Sequence, residues 1–113
     1  MNKQEIFNRV MRHLRKQGKR SVNKAGMCLY RGPNGTRCAI GALIPNELYD
    51  ERFEGNSANI PEIVFAAGLP HSHTFAKDIQ KIHDLARDDH FLEDIEMRAA
   101  IVAKRHNLKV PGA

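Results

Sequence analysis

Two cysteines, Cys28 and Cys38, and the adjacent pair His83-Asp84 are the residues of this chain whose types suit covalent chemistry. A thiolate becomes a nucleophile when a neighbouring base or cation lowers its pKa, and a histidine oriented by a carboxylate can be that base. Cys38, His83 and Asp84 therefore form one candidate constellation, that of a Cys/His-dependent hydrolase or transferase. The spacing speaks against it. Neighbours on a helix lie about 100° apart, so Asp84 is not expected to back the His83 ring. No nucleophile elbow surrounds either cysteine, and both read more simply as small buried apolar side chains.

Zinc is the second chemistry these types allow, through Cys28, Cys38, His71, His73, His83 and His90. Nine residues separate the cysteines, so the short knuckle that bites one ion is missing. His71 and His73, two apart, chelate together only from extended backbone. The expectation is no metal and no other cofactor.

Binding rests on more residues. Arg9, Arg12 and Lys16 recur at three and four on one helix face, and Lys19, Arg20 and Lys24 carry the charge into the next segment. Such a face can neutralise several phosphates of a nucleic acid, with Tyr30, Arg31 and Arg37 nearby. A protein partner is the other option: Leu43, Ile44, Leu48, Tyr49 and Phe53 form an apolar cluster beside acidic residues, which is the pattern of an anchor with a polar rim. Tyr30, Arg31, Tyr49 and Phe53 are the interaction candidates.

The elements that must position these groups follow from periodicity. Ile6, Phe7, Val10, Met11 and Leu14 mark a helix from about Gln4 to Gln17, with Asn2 and Glu5 as capping box and Gly18 as stop. Met27–Arg31 and Thr36–Ile40 are short β-prone runs flanking Gly32-Pro33-Asn34-Gly35, which predicts a β-hairpin. Pro61 opens a short helix ended by Gly68. Phe75, Ile79, Ile82 and Ala86 mark a third helix, and Leu92, Ile95, Ala99 and Val102 a fourth, running to about His106. The expected fold is α+β: one domain over residues 1–113, with three or four helices around a central hairpin. Ile6, Val10, Leu14, Ile40, Ile79, Ile82, Ile95 and Val102 form its core.

The stretch Cys28-x-Tyr30-Arg31-Gly32-x-x-Gly35-x-x-Cys38-Ala39-Ile40-Gly41-x-Leu43-Ile44-Pro45-x-Glu47-x-Tyr49-Asp50-x-x-x-Glu54-Gly55, with the later Ile82-His83-Asp84, resembles small uncharacterised proteins of bacteriophages and prophages. That resemblance implies a phage setting and attaches no activity to these residues. Composition adds limits. With 42% hydrophobic and 27% charged residues the chain of 113 reads as globular, and no apolar run reaches the roughly 20 residues of a membrane span. Eight basic residues stand against Glu5 alone up to Lys24, leaving the remainder net acidic although the whole is +5. Two cysteines are too few for a disulfide scaffold, which suggests the cytoplasm of the bacterial host. The expectation is a small non-enzymatic accessory protein that binds a host or phage macromolecule, protein or nucleic acid, with self-association open.

Overall fold

The structure is a computed structural model, describing residues 1–69 and 73–112; of His73 only the backbone is described. The described residues form four α-helices: α1 (Lys3–Gln17), α2 (Pro61–Ala66), α3 (His73–Asp84) and α4 (Phe91–His106). At the start of α1 the Asn2 side chain accepts the Glu5 N–H (2.9 Å) while Glu5 accepts the Asn2 N–H (3.3 Å). Gly18 ends α1 at φ 72°, the left-handed conformation a helix stop requires, and Asn107 ends α4 at φ 56°. None of the helices among the described residues is long and apolar enough to cross a membrane.

The apolar stripe of α1 (Ile6, Phe7, Val10, Met11, Leu14) is wholly buried. It meets α3, which contributes Phe75, Ile79 and Ile82, and α4, which contributes Ile95, Ala99 and Val102. All eight core residues expected from periodicity are buried. Leu92, expected to face inward with Ile95, is 52% exposed.

The expected α+β architecture and its central β-hairpin are not present: the molecule is helical, and among the described residues no strand forms. What pairs is one isolated antiparallel bridge, Val22 with Cys28, further up the chain. The Pro33–Gly35 turn does exist, with Asn34 at φ 58° and the Gly32 N–H donated to the Thr36 carbonyl (2.8 Å). Its flanks do not pair because their backbone donors go to side chains. Tyr30 and Arg31 N–H groups donate to the two oxygens of Glu54 (2.9 and 3.1 Å). The Arg37 N–H goes to Gln17 (2.8 Å) and the Ile40 N–H to Gln80 (2.9 Å). Buried backbone polar groups must find partners, and here three side chains, taking four N–H groups, replace the ladder of a sheet.

Beyond Ile40 the chain moves in single 3₁₀ turns at Gly41–Leu43, Asn46–Leu48 and Glu51–Phe53. Gly41 packs so tightly on the Tyr30 carbonyl that a Cβ there would overlap it. This close approach seats Cys38, Ile40, Leu43 and Ile44 in the core beside α1.

Candidate functional site

The thiol that reaches the His83-Asp84 pair is Cys28. Its sulfur, a His83 ring nitrogen and an Asp84 carboxylate oxygen lie within 4.8 Å of one another. Cys38 is instead fully buried, its sulfur accepting the Gly41 N–H (3.3 Å), and burial pushes its thiol up to about 12. The helical angle that argued against an Asp84–His83 contact is overruled, because Asp84 is the last residue of α3 and its side chain turns back to His83 Nδ1 at 2.7 Å.

Both nitrogens of His83 are spoken for. The Ser21 backbone N–H donates to Nε2 (2.8 Å), which places the ring proton on Nδ1, where Asp84 accepts it. Asp84 also accepts from Gln80 Nε2 (3.0 Å). No lone pair of the imidazole is left to take a thiol proton. Cys28 itself is half-buried; desolvation first and the Asp84 carboxylate second push its pKa up to about 11, against a weak contact with Arg20 (3.9 Å). A metal ion on Nδ1 would need the proton moved to Nε2, directly against the Ser21 N–H. The donor set therefore fits neither an activated thiolate nor a metal centre. His90 pairs with Asp89 (3.0 Å) and is not among the residues of this cluster. His71 and the His73 side chain fall outside the described residues.

The basic residues are arranged differently. Arg9, Arg12 and Lys16 lie within about 60° of one another on α1, with their backs to the buried stripe. All three are exposed, as is Lys19, and none of the four has an ion-pair partner among the described residues. Arg20, expected to join them, is drawn away: Nε and Nη2 hold the Asp88 carboxylate (2.7 and 3.1 Å). Arg15, also on α1, is bidentate to Glu96 (2.7 Å for both contacts).

Beside the free cations is a hollow of about 540 Å³ lined by His13, Lys16, Gln17, Lys19, Thr36 and Arg37, among others, with no acidic residue in its wall. The Gln17 side chain holds both ends of the Arg37 peptide region, accepting its N–H and donating to its carbonyl (2.9 Å). His13 Nε2 contacts the same carbonyl (2.9 Å), and burial lowers its pKa. Charge in the hollow comes from Lys16, Lys19 and Arg37.

The interaction candidates split by burial. Tyr30 is 5% exposed and donates its hydroxyl to the Asn56 carbonyl (2.7 Å), and burial raises its pKa. Arg31 reaches the Ile44 carbonyl and Asn46 (2.8 Å each) with its guanidinium 4.7 Å above the Tyr49 ring. Tyr49 donates to Glu54 (2.6 Å), and desolvation together with that carboxylate pushes its phenol up to about 12. Phe53 is buried against the core. These four brace the segment around Glu54. The exposed aromatic is one that periodicity did not single out, Phe65 on α2, at 76%.

Comparison with known protein families, with curated proteins and with solved structures gives no match to this chain.

Proposed function

We propose that this chain is a small nucleic-acid-binding accessory protein that grips the phosphate backbone with the exposed face of α1 and the adjoining hollow at Arg37. The observation that carries this reading is the set of four exposed cations, Arg9, Arg12, Lys16 and Lys19, without an ion-pair partner among the described residues and running into an acid-free hollow. Five other arginines are committed instead: Arg15, Arg20, Arg52, Arg87 and Arg105 each hold a carboxylate. Free, clustered cations on one face are what counterion release needs. The reading is of recognition by backbone charge rather than sequence, because it rests on cations alone. The phage setting rests on the motif resemblance alone.

The alternative, a hydrolase or transferase using Cys38 and His83, is disfavoured by the burial of Cys38 and by the occupied nitrogens of His83.

Fluorescence anisotropy with a labelled 20-nucleotide strand, single and duplex, across a salt series tests the proposal. Affinity should fall with salt at a log–log slope of roughly −4 on duplex DNA, about −0.9 for each neutralised phosphate. Changing Arg9, Arg12, Lys16 and Lys19 together to Gln should abolish binding with the fold intact by circular dichroism. Salt-independent binding, or binding that survives the fourfold change, would overturn it.

A further inference from the structure

Phe65 stands 76% exposed on α2, with Glu62 one turn before it, also exposed and without an ion-pair partner among the described residues. An aromatic ring left that open is unusual, since exposed apolar groups that cluster tend to mark contact surfaces. Leu48 (42% exposed), Phe53, Pro61 and Ala66 share its shallow groove. This part of the chain is acidic on a basic molecule: between Pro45 and Ala66 there are Glu47, Asp50, Glu51, Glu54 and Glu62 against Arg52 alone.

The opposite features occur together elsewhere. Between α3 and α4 lies a cleft of about 160 Å³, with Ile82, Leu85, Ile101 and Val102 as its apolar wall and Lys81, Arg98 and Arg105 at its rim. Leu85 and Ile101 are 49% and 48% exposed, and Met97, one turn before Ile101 on α4, is 54% exposed. The one acid of the cleft, Asp78, is already held by Arg105 and His106 (2.9 and 2.8 Å). The Nε of Arg98 is buried and has no hydrogen-bond partner, and its guanidinium makes no ion pair among the described residues. An unmet buried donor is costly and calls for an acceptor. The chain thus carries a protruding ring beside a free carboxylate, and a small apolar cleft beside an unmet guanidinium.

We propose that the partner of each surface is the other one on a second copy of this chain: Phe65 of one copy seats in the α3–α4 cleft of the next, and Glu62 meets Arg98 and Lys81 at its rim. The contact is heterologous, joining two different patches. It falls in the class of small, weak interfaces, so association is expected only at high protein concentration. None of its residues belongs to the α1 cations, so it stands or falls apart from nucleic-acid binding.

Sedimentation velocity of the full chain from 10 to 500 μM tests this. The weight-average mass should rise with concentration. Phe65→Ser and Ile101→Lys should each stay monomeric throughout, with melting temperatures near that of the parent because both side chains are exposed. Mixed in equal amounts, the two variants should recover a 1:1 pair, because the first retains an intact cleft-bearing surface and the second an intact ring. Arg98→Glu should weaken association about tenfold and Glu62→Lys in the same molecule should restore part of it. A monomeric parent at 500 μM, self-association that survives either variant, or a mixture that stays monomeric would overturn the proposal.

Discussion

At the scale of single residues, the Cys28–His83–Asp84 cluster shows that proximity of the right side chains does not make a nucleophile. The imidazole spends Nε2 on the Ser21 N–H and Nδ1 on Asp84, so its role is to hold the segment after α1 against α3. The nearby carboxylate then acts on Cys28 in the unhelpful direction, adding to desolvation to push the thiol up to about 11. Thiolate is therefore a minor species at neutral pH, and alkylation of Cys28 by iodoacetamide should be slow at pH 7.5 and climb only as the pH approaches 11. Removing the negative charge should lower that pKa, so Asp84→Asn is expected to speed alkylation at pH 8 several-fold. Cys38, fully buried, should react only on unfolding. Rate profiles of single-cysteine variants measured by mass spectrometry check this. Alkylation of Cys28 at neutral pH at the rate of a free cysteine would mean that the cluster activates its thiol after all.

At the scale of elements, the helices were legible and the segment between α1 and α2 was not, for a definite reason. A helix announces itself locally: the Asn2–Glu5 box, the Ile6-to-Leu14 stripe and Gly18 all lie within one stretch. The turn at Pro33–Gly35 was read for the same reason, since Asn34 and Gly35 supply its positive φ values. Whether its flanks become strands depends on where their N–H groups go, and those acceptors, Glu54, Gln17 and Gln80, lie 20 to 40 residues away along the chain. Periodicity carries no information about such distant partners. The basic face of α1 was legible for Arg9, Arg12 and Lys16, whereas the loss of Arg20 to Asp88, 68 residues on, was not. If side chains do stand in for a sheet, truncating them should cost far more than truncating the solvent face. Glu54→Ala orphans two backbone donors and Gln80→Ala one, and each is expected to destabilise by about 2–3 kcal/mol, while Arg9→Gln should be neutral within about 0.5 kcal/mol. Urea midpoints of the three variants measure this, and equal midpoints would mean that water satisfies those donors instead. The same partition governs binding: Arg12→Gln should reduce the salt slope by about one. Arg15→Gln, whose parent side chain is already committed to Glu96, should leave it unchanged.

At the scale of the whole molecule, ion pairs tie the elements together, and this makes the fold sensitive to acid. Arg105 and His106 on α4 hold Asp78 on α3, Arg15 on α1 holds Glu96 on α4, and Arg20 holds Asp88 in the turn before α4. Burial raises the Asp78 carboxyl, but the bonds from His106 and Arg105 outweigh it and hold it below the ordinary value. The guanidiniums of Arg15 and Arg20 depress Glu96 and Asp88, and Arg87 takes Asp94 down to about 2. A carboxylate whose folded pKa lies below its unfolded one contributes its stabilisation in full above the unfolded value. It loses that contribution as the pH falls through the folded one. The net charge moves the same way: protonating carboxylates leaves 18 lysines and arginines without their counter-charges, and self-repulsion grows. Stability should thus be nearly flat from pH 8 to 5 and fall steadily from about 4 toward 2. Asp78→Asn should be less stable than the parent at pH 7 and show a shallower decline below 4, since the group that titrates has been removed. Urea midpoints at pH 7, 5, 3.5 and 2.5 for both proteins decide it. Parallel declines would mean that Asp78 has the same pKa folded and unfolded, and that acid acts on this molecule through its overall charge rather than through the links between its helices.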